Sequence, residues 1–396
     1  MTAAVVVIAY NRSLALNRLL TSLKTATYPE GVEVPLVISI DRGPSGVSPD
    51  VVAAADAFEW RFGPKEVIEQ PRRLGLVRHF RECGRQSQRF GGVVLLEDDL
   101  TVAPPYYRFA SQTLSCYASD DRIAGVCLYG LWFNGFTREP FEPLADGTDA
   151  FFLRLPYTQG LAFSAEQWRT FDEWWPEGEI PAHPDVHPAF RDFSTDEWFS
   201  VLAAFTASTG RYFCFPRVSL TVAWGDAGSH FDAATGWLQA PVQLRSEGYR
   251  LTPLDDSLAV YDSFFELLPE RLRLLAPELP DVAFDVDLNA SKGRGNLHHD
   301  HVLTTRPVKR AIASFGMQMR PLELNVIQGV SGNGIALARK DDVLWDAWAG
   351  REARRRVFEH AWSRYRASRR RSLGFVLTRF MKWMRGIKES SQLRET

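Results

Sequence analysis

The sequence predicts an α/β fold in which a mostly parallel, doubly wound sheet is flanked by helices. Three short apolar runs support this prediction, because each has the length and the β-branched residues of a buried strand. They are residues 5–10, 36–40 and 93–96. The segments between them, 14–24 and 51–62, carry apolar residues at helical spacing. Strands that alternate with helices in this way are typical of parallel sheets with crossover helices.

Length and composition are those of a globular chain. With 396 residues, of which 45% are hydrophobic and 24% charged, the chain can bury the core of one large α/β domain or two smaller ones. The four cysteines are scattered without a CxxC pair, which argues against a disulfide framework or a structural zinc site. No apolar run reaches the roughly 18 residues that a membrane-spanning helix needs. Residues 1–13 are better explained by a first strand than by a signal peptide, so a cytoplasmic location is expected.

Polar residues stand at the carboxyl end of each predicted strand. Asn11-Arg12 follows the first strand, Asp41 the second and Glu97-Asp98-Asp99 the third. Ser13 is expected to cap the first helix. Because ligands of open α/β sheets bind at the carboxyl ends of the strands, these residues predict a binding site there.

The three adjacent carboxylates at 97–99 predict a metal site. Such carboxylates repel one another unless a cation or hydrogen-bond donors compensate their charge. Mg²⁺ and Mn²⁺ prefer oxygen ligands and are commonly shared with substrate phosphates. The apolar residues on both sides of the motif favour this interpretation over an acidic surface turn.

Three further patterns have more than one interpretation. Asp196 precedes an expected helix and is either a helix N-terminal carboxylate or a general base. Residues 224–232 contain two glycines and form either an ordinary loop or a lid over a ligand. The HHDH run at 298–301 is not expected to bind metal, because adjacent histidines on a loop do not usually converge on one ion.

Several motifs in one order give the chain a family resemblance over residues 3–240. They are VVVIAYNRS, VISIDRG, LGLVRHF, VVLLEDDLTVAPPYYRF, LWFNGF, YTQGLAFS, STDEWF and GRYFCFPRVSLTVAWGDAGSHF. In this order they resemble the catalytic domain of eukaryotic N-acetylglucosaminyltransferase I and the protein O-mannose N-acetylglucosaminyltransferases. Glycosyltransferases of bacterial polysaccharide and O-antigen clusters are similar as well. The resemblance implies a GT-A nucleotide-sugar-binding fold, in which a Rossmann-like mixed sheet is flanked by helices.

The resemblance also implies roles for individual residues. Glu97-Asp98-Asp99 takes the place of the acidic metal motif, with Asp99 as the direct ligand of Mn²⁺ or Mg²⁺. Arg12 and Asp41 occupy uracil-side positions, and His79 occupies a nucleotide-contact position. Asp196 matches the catalytic base.

Further positions are expected to surround the donor sugar. Trp132 and Gly160 fall where the family makes its donor-sugar and acceptor contacts. Gly228 and His230 belong to a segment, 224–231, that matches the loop ordering over the bound donor. The sequence departs from the family at Thr195, where a Trp is expected, and in an insertion at 176–192, so the acceptor does not carry over.

Three regions are expected along the chain. Residues 1–265 form the catalytic domain, with a nucleotide-binding half to about 105 and an acceptor half beyond it. A C-terminal helical extension follows, in which residues 266–350 have an unknown role and residues 351–396 form a basic amphipathic tail. Residues 241–280 are expected to be largely helical, and short strand-like pieces are expected within residues 285–345. The segment 351–388 holds 13 Lys and Arg against two Glu, although the whole chain has a net charge of -2. Such a segment predicts docking on an anionic membrane surface, or packing on the acidic body or on another subunit.

The predicted function is transfer of a sugar, with inversion, from a nucleoside diphosphate sugar such as a UDP-sugar. The expected acceptor is a glycan or lipid-linked glycan, as in polysaccharide assembly, and a peripheral position at the inner face of the membrane would suit it. Hydrolysis of nucleotide-sugars and non-catalytic glycan binding are the alternatives. A nicotinamide-dependent enzyme is disfavoured because no GxGxxG follows the first strand. No nucleic-acid partner is expected, since no nucleic-acid-binding fold accompanies the basic tail.

Overall fold

The computed structural model describes residues 2–180, 182–187, 197–226, 236 and 238–362. The elements from the first strand to the acidic motif are β1 (Ala4–Ala9), α1 (Ser13–Thr25), β2 (Leu36–Ile40), α2 (Pro49–Ala57), β3 (Lys65–Glu69), α3 (Leu76–Arg85), α4 (Ser87–Phe90) and β4 (Gly92–Glu97). The next are β5 (Leu100–Val102), α5 (Tyr106–Cys116), β6 (Ile123–Cys127), β7 (Ala150–Leu153), β8 (Leu161–Ser164), α6 (Ala165–Trp174), α7 (Trp198–Thr209), β9 (Tyr212–Pro216) and β10 (Thr221–Ala223). The remaining ones are β11 (Val260–Tyr261), α8 (Pro269–Leu275), β12 (Phe284–Asp287), β13 (His301–Thr304), β14 (Ala313–Phe315), α9 (Glu323–Ile327), β15 (Ile335–Arg339) and α10 (Ala347–Ala361).

A large mixed sheet forms the centre of the molecule. Within the described residues its strand order is β11-β7-β9-β6-β8-β4-β1-β2-β3. The strands β4, β1, β2 and β3 are mutually parallel, whereas β8 runs antiparallel to both β4 and β6. The predicted mixed α/β fold is therefore confirmed.

The sheet separates two hydrophobic cores. All six residues of β1 are buried, and alternate side chains point to opposite faces. Val6 and Ile8 enter one core together with Phe80 of α3, while Val5 and Val7 enter the other together with Leu16 of α1. This two-sided burial explains why the strand is a continuous apolar run.

Three local predictions near the N-terminus were wrong. The strand at 93–96 is the fourth, because β3 precedes it, and β3 is a half-exposed edge strand with three charged residues and no apolar run. The helix predicted to reach residue 62 ends at Ala57. Ser13 is the first helical residue, and the helix has no side-chain cap.

The C-terminal region differs from its prediction. Residues 241–280 were expected to be largely helical, yet α8 is the helix described there, since Pro253 lacks the N–H that a helix interior needs. Beyond residue 283 the described residues form a second sheet of strand order β12-β13-β15-β14, where only short strand-like pieces were expected. The helix predicted for the basic segment 351–388 is described as far as Ala361, where α10 ends. Residues 363–388 lie outside the described residues. Among the described residues, no helix combines the length and hydrophobicity needed to cross a membrane.

Buried charged groups join this second sheet to the main body. The Lys292 ammonium lies 2.5 Å from an Asp262 carboxylate oxygen, and the Asn289 N–H donates to Glu266 at 2.8 Å. Arg306 donates to Asp287 at 2.9 Å in the same buried region. Because these partners satisfy one another away from water, they hold residues 285–306 against residues 262–266.

Candidate functional site

The ends of three neighbouring strands bring the predicted site residues to one edge of the sheet. β1 and β4 are paired in parallel with Ile8 opposite Glu97, and the Asp98 N–H donates to the Ile8 carbonyl at 3.1 Å. On the other side of β1, the Asp41 N–H donates to the Ala9 carbonyl at 2.9 Å. The carboxyl ends of β1, β2 and β4 therefore lie side by side, as their polar termini predicted.

Arg12 forms a fork across the acidic motif. One of its terminal nitrogens donates to Asp98, and the other donates to an Asp99 carboxylate oxygen at 3.0 Å. Asp98 is only 2% exposed. Burial raises its pKa to about 6, and the Arg12 charge acts in the opposite direction. The single positive charge of Arg12 is thus shared by two of the three adjacent carboxylates, which reduces the repulsion between them.

Asp99 is the member of the motif that best fits a cation. Its side chain is 26% exposed. Among the described residues, Arg12 donates a hydrogen bond to one of the two carboxylate oxygens of Asp99. The other oxygen is a hard ligand of the kind that Mg²⁺ and Mn²⁺ prefer. Within the described part of the chain, no three His, Cys, Asp or Glu side chains come together in a way that could hold a metal ion. A cation at Asp99 would therefore be coordinated mainly by oxygens of a bound molecule.

Glu97 faces a different partner. The Trp198 indole N–H donates to a Glu97 carboxylate oxygen at 3.1 Å. The Trp198 ring stacks on Phe80 with centroids 4.1 Å apart and planes 3° apart. Burial, followed by the nearby Asp99 charge, raises the pKa of Glu97 to about 8. Glu97 therefore anchors the start of α7 to the acidic motif, which the sequence analysis did not foresee.

The segment after β10 closes the other side of Asp99. The Trp224 N–H donates to the Asp99 carbonyl at 3.1 Å, and its indole N–H donates to the Thr101 hydroxyl at 3.1 Å. Arg18 of α1 lies over the Trp224 ring, 4.7 Å from its centroid, and pairs with Asp226. Trp224 is 50% exposed, so its ring forms part of the surface beside the motif.

Asp41 and His79 are engaged within the protein. The Asp41 carboxylate accepts from the Leu74 and Gly75 N–H groups, both at 2.9 Å, and so holds the turn before α3. The His79 Nε2 lies 2.8 Å from the Ser39 hydroxyl. Burial lowers the pKa of His79 to about 4, which keeps the ring neutral at pH 7. Asp41 thus positions the turn at 70–75 beside the strand ends, and the contact of His79 with Ser39 ties α3 to β2.

Trp132 and Gly160 lie in two other loops. The Phe141 N–H donates to the Trp132 carbonyl at 2.8 Å, which closes the loop 132–141. Gly160 has a φ of +89°, and a Cβ there would lie 3.0 Å from the Thr221 side chain. Glycine is thus needed for the close approach of this loop to β10, which leads to Trp224.

Several predicted residues lie outside the described part of the chain. They are Asp196, the expected base, its neighbour Thr195, and Gly228 and His230 of the expected lid. The HHDH run at 298–301 is described. The backbone N–H groups of His298 and His299 both donate to Asp285, at 2.9 and 2.7 Å. Among the described residues, no group of three potential metal ligands is found.

A mixed sheet flanked by helices, with an acidic motif at a strand end, is the arrangement that the family resemblance implied. The chain belongs to the GNT-I family, whose model matches residues 1–233. The family resemblance stated from the motifs is therefore confirmed. One curated relative is the alpha-1,3-mannosyl-glycoprotein 2-beta-N-acetylglucosaminyltransferase of Arabidopsis thaliana, 25% identical over 252 residues. The match covers 61% of this chain but only 51% of that protein, so the chain spans about half the length of this relative.

Solved structures of bacterial and archaeal proteins also align with this chain. S. aureus TarS 1-349 has a TM-score of 0.37 and 15% identity, and the match covers 57% of this chain and 61% of that one. The mannosyltransferase PcManGT from Pyrobaculum calidifontis, solved with GDP-Man and Mn²⁺, has a TM-score of 0.34 and 14% identity. That match covers 54% of this chain and 56% of the other. At such low scores these similarities add nothing about the site of this chain.

Proposed function

We propose that the chain transfers a sugar, with inversion, from a nucleoside diphosphate sugar to a hydroxyl of a glycan or lipid-linked glycan. The donor we propose is a UDP-sugar, bound in a metal-dependent manner at the carboxyl ends of β1, β2 and β4. Hexosyl and N-acetylhexosaminyl groups are the sugars that the family membership favours. Polysaccharide or O-antigen assembly is the process that such an acceptor suggests.

The observation that carries this proposal is the arrangement of Arg12, Asp98 and Asp99. A guanidinium beside two carboxylates at a sheet edge offers both a cation for phosphate oxygens and an anion for a metal ion. The oxygens of a diphosphate could contact both the guanidinium and the metal ion. The neutral His79 and the turn at 70–75 support the nucleotide side of the same edge.

Each residue of the motif has a separate task in this mechanism. Asp99 would hold Mn²⁺ or Mg²⁺, which supplies charge neutralisation for the diphosphate leaving group. Arg12 orients the two aspartates and keeps Asp98 ionised despite its burial. Glu97 holds Trp198, and with it the start of α7.

Asp196 is the proposed general base, two residues before Trp198 in the sequence. It would take the proton of the acceptor hydroxyl as that oxygen attacks the anomeric carbon from the face opposite the diphosphate. A single displacement of this kind inverts the anomeric configuration. The loss of a well-placed base typically costs about 10²–10⁴-fold in rate. Asp196→Asn should therefore lower kcat far more than donor affinity.

Thermal unfolding with nucleotide ligands tests the donor site. UDP, GDP and their sugars are each added with Mn²⁺ or with a chelator. A ligand at 100 times its Kd stabilises the folded state by about 2.7 kcal/mol, which shifts the Tm measurably. We expect a Mn²⁺-dependent shift for uridine nucleotides. Equal Tm values for every nucleotide, with and without Mn²⁺, would contradict the proposal.

Product analysis separates transfer from the alternative activities. The chain is incubated with the stabilising UDP-sugar, with and without a panel of glycan acceptors. Transfer predicts UDP release that depends on the acceptor. Release at the same rate without any acceptor identifies a nucleotide-sugar hydrolase, and nucleotide binding without release identifies a binding protein.

We also propose that the segment 351–388 docks the protein on an anionic membrane surface, at the inner face. Its excess of Lys and Arg carries this proposal, although residues 363–388 lie outside the described residues. Flotation of the full chain with vesicles is compared with a variant carrying Arg369→Gln, Arg370→Gln and Arg371→Gln. We expect weaker flotation of the variant on anionic vesicles, and equal flotation of both proteins would exclude docking by this segment.

A further inference from the structure

A groove lies in the C-terminal region, beyond residues 1–233 that the family model matches. Its volume is about 460 Å³, within the range of small-molecule sites. Val308 and Ala336 contribute apolar surface, while Ser314, Asn333 and Arg356 contribute polar groups. The groove therefore offers an apolar wall and hydrogen-bonding groups in one concavity.

Positive charge predominates around this groove. Arg306 and Arg356 line it, and Lys309 and Arg310 lie in the sequence between two of its lining residues, Val308 and Ala311. Both Lys309 and Arg310 are exposed, and neither has an ion pair among the described residues. The acidic lining residue is Glu352, and its carboxylate is bound by Arg355 at 2.6 and 3.0 Å.

The two arginines in the groove differ in their partners. Arg306 is saturated, because it donates to Asp287 and to the carbonyls of Ala290 and Lys292, all at 2.9 Å. Arg356 donates to the Thr305 carbonyl, and no described carboxylate lies within ion-pair distance of it. Partial burial lowers the pKa of Arg356, the nearby Glu352 charge raises it, and the Arg355 charge lowers it, with a net lowering. A further anion in direct contact with Arg356 would offset the lowering by burial and by Arg355.

We propose that this groove binds a phosphate group attached to a small apolar or sugar moiety, with Arg356 as the main contact of the phosphate. Several cationic side chains surround the groove, whereas the carboxylate of Glu352 is already paired. This excess of positive charge suits a doubly charged phosphate better than a ligand with one carboxylate group. The apolar wall at Val308 and Ala336 receives the attached moiety. The phosphate comes either from a free phosphorylated compound or from a lipid headgroup, since the two present the same chemistry.

Hexyl phosphate is the probe that tests the site. Its binding to the full chain is measured by calorimetry, with a chelator present so that no cation binds at Asp99. Hexyl glucoside is the uncharged comparison. We expect hexyl phosphate to bind and hexyl glucoside to bind much more weakly. Arg356→Gln should weaken the binding of hexyl phosphate about tenfold or more, because a charge-assisted contact is lost.

Arg351→Gln is the matched control on the same helix. It removes the same charge from an exposed position about 140° around α10 from Arg356, so binding should not change. Glu352→Gln should tighten binding several-fold, which a misfolded variant cannot imitate. No binding of hexyl phosphate to the wild-type chain would overturn the proposal, as would equal weakening by Arg351→Gln and Arg356→Gln.

Vesicles distinguish the two sources of phosphate. Phosphatidylcholine vesicles with and without phosphatidic acid are compared for the wild-type chain, for Arg356→Gln and for Arg351→Gln. Loss of phosphatidic acid binding in Arg356→Gln but not in Arg351→Gln, which removes the same charge from the segment 351–388, assigns the groove to a lipid headgroup. Unchanged vesicle binding, together with weakened binding of hexyl phosphate, assigns it to a free phosphorylated compound. Because the probe needs neither UDP nor Mn²⁺, this result is independent of the donor site.

Discussion

Arg12 donates to both Asp98 and Asp99, and thereby joins the end of β1 to the end of β4. Its guanidinium is about one-third exposed, whereas the Asp98 side chain is only 3% exposed. The contact therefore pairs a nearly buried carboxylate with a cation that still reaches the surface. A ligand at this edge would meet the guanidinium and the free oxygen of Asp99 together.

Replacing Arg12 should destabilise the fold through Asp98. Arg12→Gln leaves the buried Asp98 carboxylate without its cation, and we expect a loss of about 1–3 kcal/mol in the free energy of unfolding. Urea denaturation at pH 7 measures it. Arg12→Gln combined with Asp98→Asn should recover part of the loss, since the uncompensated charge is removed. Strictly additive effects of the two changes would contradict this account.

Asp99→Asn should abolish the Mn²⁺-dependent part of nucleotide stabilisation. The change keeps the size of the side chain and removes the charge that would hold the cation, so the Tm without ligand should change little. The measurement is the Tm with UDP in the presence and absence of Mn²⁺. Asp255→Asn is the control, because it removes an exposed carboxylate that pairs with Arg122. An undiminished Mn²⁺ effect in Asp99→Asn would rule out Asp99 as the ligand.

Trp198→Phe should impair turnover as well as stability. Phenylalanine keeps the stack on Phe80 but cannot donate to Glu97, which should cost about 1–3 kcal/mol in stability. Because α7 begins there, directly after Asp196 and Glu197, kcat should fall too. Trp60→Phe is the matched control, since it removes an indole hydrogen bond to the Val34 carbonyl, which lies before the start of β2 and so away from the carboxyl ends of the strands. If both variants lost the same fraction of kcat, Trp198 would have no special role.

Glu323→Gln should stabilise the protein at alkaline pH. Burial raises the pKa of Glu323 from 4.5 to about 7, and the Tyr261 hydroxyl donates to it at 3.2 Å. The folded state therefore holds a proton that the unfolded state has already lost, so stability falls as the pH rises from about 4.5 to 7. Glutamine keeps the acceptor and needs no proton.

The expected gain for Glu323→Gln is about 1–3 kcal/mol at pH 8 and close to zero at pH 4. Urea denaturation at both pH values measures the difference. Glu173→Gln is the control, because Glu173 is exposed and pairs with Arg169. A gain of equal size at both pH values would show that packing, and not ionisation, explains the effect.

The sequence by itself determined the central part of the fold and of the candidate site. β1, β2 and β4 were predictable because strands buried on both faces are continuous apolar runs. Their parallel order then placed Arg12, Asp41 and the acidic motif at one edge. Family membership was predictable from several motifs that occur in one order.

Only the tertiary structure decided which partners these residues take. The bond from Trp198 to Glu97 joins positions 101 residues apart, and the contact of Trp224 with the Asp99 carbonyl depends on the pairing of β10 with β5. The edge strand β3 was missed, and the C-terminal sheet was expected only as short strand-like pieces, because half-exposed strands and short strands lack a strong periodic signal. Periodicity reports which face of a segment is buried, whereas the identity of the neighbour that buries it depends on how distant segments pack together.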